Sequence, residues 1–138
     1  MGYTITATIP LAFPDAVEAA RAALAEQGFG ILTEIDVHHT FENKLGAEAA
    51  DSVGNYLILG ACNPSLAQRA IAAEPQIGAL LPCNVVVRHG ERPGTSIVEA
   101  IDPQTMAQLS GTPAVQEVAD QAGARLRAAL EAVQPKAD

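Results

Sequence analysis

Two Cys-Asn pairs, Cys62-Asn63 and Cys83-Asn84, are the residues of this 138-residue chain best suited to chemistry. In the run Gly60-Ala61-Cys62-Asn63-Pro64, a thiol ends an apolar stretch immediately before an N-cap residue type and a proline suited to the first helical position. A helix N-terminus carries roughly half a positive charge, and thiolates there can have pKa values lowered to about 3.5–7.5. Cys62 is therefore a candidate redox thiol, persulfide carrier or metal ligand. Against that stands the ordinary behaviour of a free cysteine, which packs as a small buried hydrophobe. No Cys-x-x-Cys supplies a resolving partner. Cys83 opens a second apolar run between Pro82 and Asn84. If the two strand ends meet, the thiols approach each other or their copies across a dimer axis. Spacing does not decide it, because a disulfide needs Cα atoms within about 7 Å.

Carboxylates give a second constellation. Glu34 and Asp36 stand two apart in a strand-like run, so they share a face about 6.6–6.8 Å apart at the backbone, opposite an apolar set headed by Phe29 and Ile31. Such a pair suits acid/base work or a hard cation; the alternative is a solvated strand face like Thr4, Thr6 and Thr8. Strand interiors disfavour Asp, so Asp36 calls for a partner, and a hydrogen bond to Lys44 or Arg69 is the simplest. His38 and His39 point to opposite faces if the strand continues. A metal site can be drawn from Asp36, His38 and a distant Cys or His89, with exposed loop histidines as the alternative. With Asn63 and Asn84, the candidate ligand-binding residues are Glu34, Asp36, Lys44, Asn63, Arg69 and Asn84. No phosphate-cradling loop, nucleophile elbow or dinucleotide fingerprint is present, and no pattern identifies a cofactor. Gly28-x-Gly30 lacks the downstream glycine and enters a strand.

The elements that must position these groups follow from periodicity. Tyr3, Ile5, Ala7 and Ile9 alternate with threonines, a period-2 strand. Pro14 opens a helix carrying Val17, Ala20 and Leu24 up to Gly28. Residues 29–37 read as a strand with Phe29, Ile31, Thr33, Ile35 and Val37 on one face, 38–54 as one helical turn plus loop, and 55–62 as a strand. Asn63-Pro64, Asp102-Pro103 and Thr112-Pro113 each pair an N-cap type with a proline. They predict helices over 64–73, a short one after 103, and one over 113–133 with an apolar stripe of Val115, Val118, Ala122, Leu126, Ala129 and Val133. Residues 83–88 and 95–100 form a hairpin around 89–94. The expected architecture is α+β: two layers, a largely antiparallel sheet with helices on one face, in the order βα-ββα-ββα.

Composition bounds the rest. Sixteen Asp and Glu, eight in each half of the chain, against eight Lys and Arg give a net charge of −8. That balance, with few arginines and little aromatic support, argues against nucleic acid and anionic membranes. The 49% hydrophobic content includes 27 alanines, leaving enough larger side chains for one core and excluding disorder. One domain is expected over 1–138, with an ordered core over about 3–133 and a C-terminal tail at 134–138. No apolar run reaches the ~20 residues of a membrane span, and the N-terminus lacks the basic and apolar regions of a signal peptide. A cytoplasmic protein with reduced thiols is expected.

The runs Gly-Phe-Gly-Ile-Leu-Thr-Glu-Ile-Asp-Val (28–37), Tyr-Leu-Ile-Leu-Gly-Ala-Cys-Asn-Pro (56–64) and Leu-Leu-Pro-Cys-Asn-Val-Val-Val (80–87) resemble the domain-of-unknown-function family 302. The Lys44-Leu45-Gly46 segment, the turn at 74–78 and the helix start at 102–106 carry the same resemblance, which covers roughly 3–133. It implies a small bacterial or archaeal α+β domain, usually a homodimer, without an agreed activity. His38-His39 departs from the family pattern, so a site using them belongs to this protein. Val85, Val86 and Val87, three β-branched residues in succession, also suit a sheet covered on both faces. Two functions from different classes remain: a non-catalytic homodimeric module binding a small ligand or protein partner between the Glu34/Asp36 face and the Asn63 helix start, or a thiol- or sulfur-handling protein using Cys62, with or without Cys83.

Overall fold

Side chains alternate between the two faces of each strand, and the sheet buries one of those faces. In the computed structural model, which describes residues 2–134, five strands pair antiparallel throughout in the order β1-β5-β4-β3-β2. They are β1 (Thr4–Ile9), β2 (Gly30–Asp36), β3 (Tyr56–Cys62), β4 (Cys83–His89) and β5 (Ser96–Ile101). Ala7, Ile9, Leu57, Leu59, Val85, Val87, Val98 and Ala100 point to one face and are buried. Thr4, Thr6 and Thr8 take the other, where Thr6 and Arg88 both reach Glu99. The helices are α1 (Phe13–Glu26), α2 (Val37–Leu45), α3 (Ala47–Val53), α4 (Pro64–Ala73), α5 (Gln104–Ser110) and α6 (Pro113–Val133), with a 3₁₀ helix at Pro75–Leu80. The α+β, two-layer expectation holds, and the bounds of α4 and α6 match their prolines. The expected tail at 134–138 lies outside the described residues from 135 onward.

Helices α1 and α6 cover the apolar face. Ala16, Ala20 and Ala23 of α1 and Ala129 of α6 are nearly solvent-free, and such small side chains let helix backbones come close to the sheet. Leu24, Leu126 and Leu130 fill the space between, forming a first core with the strands. Each fully buried leucine stabilises the fold by about 1.5–3 kcal/mol relative to exposure. A second core forms where the first half of α6 (Val115, Val118, Ala119, Ala122) meets Leu66 and Ala70 of α4, Ile77 of the 3₁₀ helix and Met106 of α5. Ser96, fully buried, donates to the Leu11 carbonyl at 2.8 Å and ties β5 to the turn after β1.

Three readings are corrected. Residues 38–54 form a helical pair rather than one turn plus loop: Gly46 at φ +97 divides α2 from α3, and Gly54 at φ +70 ends the pair. Strand β2 does not keep one face. A bulge between Ile31 and Thr33 makes Ile31 face Ala61 but places Thr33 opposite Gly60 and Ile35 opposite Ile58. Directly paired residues share a side, so Ile31 lies on the helix side while Thr33 and Ile35 lie on the open side; one inserted residue has inverted the pattern. Thr112 does not cap α6; its hydroxyl donates to Glu74 at 2.6 Å, and Ser110 donates to the same carboxylate at 2.9 Å.

The bulge assigns unequal energies to neighbouring residues. Leu59→Ala is expected to lower stability by about 2–5 kcal/mol, and Ile35→Thr, at a side chain 49% exposed, by no more than about 0.5 kcal/mol. Urea unfolding measures both; a core-sized loss at Ile35 that does not change with protein concentration would put it back on the face of Ile31.

Candidate functional site

The pairing of β3 with β4 brings the two cysteines together. Cα of Ala61 is opposite Cys83, so Cys62, the next residue, is one ladder position from Cys83. Both are free, half-buried thiols at the end of the sheet where β3 turns into α4. Asn63 makes that turn: its Oδ1 accepts from the Leu66 backbone N–H at 3.2 Å, and Pro64 follows at the first helical position. The chain returns from α4 through the 3₁₀ helix and Leu81-Pro82 to start β4 at Cys83.

Between this corner and the helices lies a cavity of about 300 Å³. Phe29 and Ala61 of the first core form one wall, and Leu66, Met106, Val118 and Ala122 of the second form another. Cys62, Asn63 and Cys83 are the lining residues with side-chain hydrogen-bonding groups or thiols. This is the composition of a small-molecule site: apolar walls with a few placed polar groups. Burial pushes the Cys83 thiol well above its ordinary value, to about 11, and the neighbouring Cys62 adds to the rise. Removing a charge from water is costly where the walls cannot solvate it, so Cys83 faces the cavity as a neutral thiol at physiological pH.

The remaining sequence-derived candidates lie elsewhere and do not converge. Glu34 pairs opposite Leu59 and Asp36 opposite Leu57, so the bulge puts both on the helix side, not opposite Ile31 as the unbroken alternation implied. There Glu34 forms an ion pair with Arg21 of α1. Asp36 caps α2, accepting from the His39 backbone N–H at 3.0 Å, and that cap accounts for an aspartate at the end of a strand. Lys44 is exposed in the last turn of α2. Arg69 projects from α4 toward α6, donating to Gln121 at 3.2 Å with Glu117 at 3.8 Å. Asn84 is exposed on the open face opposite Gly60. His38 lies in α2, His39 is 3.1 Å from Asn43, and His89 at the end of β4 is 3.2 Å from the Gly90 carbonyl. Among the described residues no three His, Cys, Asp or Glu side chains gather, so the set drawn from Asp36, His38 and His89 is not assembled.

Of the residues singled out in the sequence, Cys62, Asn63 and Cys83 line this cavity, and its apolar walls were not foreseen. Leu32, the bulged residue, lines the cavity although 64% exposed; its place in an apparently regular strand gave no signal. Val118 and Ala122 read as ordinary helix stripe and Met106 as part of a helix start, and only the packing of α5 and α6 on α4 turns them into lining.

A family model described as a domain of unknown function, DUF302, matches residues 5–133. Among solved structures, the crystal structure of an uncharacterized conserved DUF302 protein from Bacillus stearothermophilus superposes with a TM-score of 0.82. It covers 97% of this chain and 100% of that one at 23% identity, a likeness of fold. No curated protein matches the chain. Among the described residues, no helix is long and apolar enough to cross a membrane.

The raised Cys83 thiol has a pH signature. In the native protein, iodoacetamide labelling of Cys83 is expected to be slow at pH 8, where about a thousandth is thiolate. The rate climbs about tenfold per pH unit and levels off near 11. Peptide mass mapping gives the rate, and labelling at pH 8 as fast as in unfolded chain overturns the assignment.

Proposed function

Because the chain belongs to the DUF302 family, we propose that it is a homodimeric cytoplasmic module that holds a small, mostly apolar ligand in the cavity at the end of β3, without catalysis. The observation that carries this reading is the cavity itself, about 300 Å³ between two cores, with apolar walls and one polar corner. Burial of an apolar ligand is favourable by roughly 25 cal/mol per Å² removed from water, and a pre-formed site adds little ordering cost. The ligand site moves from the Glu34/Asp36 face to the corner of Cys62, Asn63 and Cys83, since the carboxylates are already engaged by Arg21 and the α2 backbone.

Filling the cavity tests it. A neutral dye such as 1-aminoanthracene is expected to bind one per chain with a fluorescence increase. Ala67→Phe, at a half-buried lining position on α4, is expected to weaken that binding at least about tenfold while Tm changes little. Unchanged dye affinity in a folded variant overturns the cavity reading.

Dimerisation is supported by the open side of the sheet, where Ile35 is 49% exposed and Ile58 and Val86 are half-buried beside it. Light scattering is expected to give twice 14.3 kDa, and a monomer refutes this part. The thiol-handling reading stays as the second one, because both cysteines line the same cavity. With Cys83 held neutral, its chemistry would fall first to Cys62. Cys62→Ser separates the two: ligand binding survives if the cavity alone serves, and is lost if the thiol is the working group.

A further inference from the structure

The polar corner carries more than a thiol pair. Asn63 spends its acceptor oxygen on the Leu66 N–H, which turns its amide Nδ2 donor away from α4. That nitrogen lies 3.0 Å from the point where a Cβ on Gly28 would stand, and Nη1 of Arg125 lies 3.1 Å from the same point. The two donors are therefore within about 6 Å of each other, a gap that one carboxylate can bridge with an oxygen about 2.7–2.9 Å from each. A side chain at Gly28, which sits at φ +82, would crowd both donors. Arg125 donates only a long 3.3 Å bond to the Gln27 carbonyl. Among the described residues it and Arg92 have no carboxylate partner, whereas Arg21, Arg69, Arg88 and Arg127 each have one; of the two, only Arg125 adjoins Asn63.

We propose that the cavity's ligand is a small amphiphilic monocarboxylate, its tail in the apolar cavity and its carboxylate between Asn63 Nδ2 and the Arg125 guanidinium. This rests on the cavity reading above and names its ligand class. Asn63 lines the cavity, and Arg125, outside the lining, stands one helical turn beyond the lining residue Ala122, so the head site adjoins the cavity through Asn63. A single charge fits better than a dianion: one cation and one amide meet it, in a chain whose net charge is already −8. Leu32 and Ile71, 64% and 43% exposed on the lining, carry apolar surface outward for a tail longer than the cavity.

Displacement of bound 1-aminoanthracene by octanoate and by 1-octanol, which share a tail length, tests the assignment. In the native protein octanoate is expected to bind at least about tenfold more tightly than octanol, with the margin shrinking in high salt because Arg125 is exposed. Arg125→Gln is expected to erase the margin and leave dye and octanol binding unchanged. Asn63→Asp keeps the capping oxygen, replaces the donor with a negative charge, and is expected to reverse the preference. Dye binding without an octanoate margin, or a margin that survives Arg125→Gln, overturns the carboxylate assignment alone. Failure of the native protein to bind dye or octanol overturns the cavity reading and this one with it.

Discussion

Helix α6 cannot bury its apolar stripe against a single partner. It runs for 21 residues, about 30 Å at 1.5 Å per residue. Its second half rests on the sheet and α1, while its first half extends beyond the strands and needs α4, α5 and the 3₁₀ helix to cover it. Two cores result, joined along one helix. Where they meet, facing residues are small (Ala61, Ala67, Ala70, Ala122), and the space they leave is the cavity. The site is thus a consequence of spanning two cores with one helix rich in alanine. Glu74 fastens the far side of the second core, accepting from both Ser110 and Thr112 at the α5–α6 turn.

Much of this was legible in the residues. Prolines with an N-cap type before them marked α4 and α6, because a proline is tolerated at a helix start and nowhere inside one. Alternation marked β1, the turn at 89–94 marked the β4–β5 hairpin, and Cys62, Asn63 and Cys83, though not Asn84, line the polar corner. What failed did so for physical reasons. A bulge costs one residue and leaves no compositional trace, yet it moved Thr33 and Ile35 away from Ile31's face and sent Glu34 and Asp36 to the helix side. Asp36 looked like a strand residue in need of a cation when it was the first residue of a helix boundary. Thr112 resembled a cap, but a nearby carboxylate competed for its hydroxyl.

Polar groups on this protein are mostly engaged locally, which sharpens the meaning of the exceptions. Among the described residues, no buried side-chain nitrogen or oxygen lacks a partner, and four arginines meet carboxylates. Those four pairs, all partly exposed, add at most about 1 kcal/mol each; their larger effect is to remove charge from the list of available binding groups. Arg125 and the amide of Asn63 are unpaired with any acid among the described residues, at a corner where apolar walls come to the surface.

The bulge in β2 also bears on how copies of this chain can meet. Strand β2 is an outer strand of the sheet, and an unpaired strand edge is a template for any other extended chain. Here the ladder is interrupted after Ile31, and Glu34 and Asp36 follow within five residues, so an incoming strand finds neither continuous register nor neutral flanks. The distortion that re-aimed two carboxylates therefore also guards against runaway sheet extension.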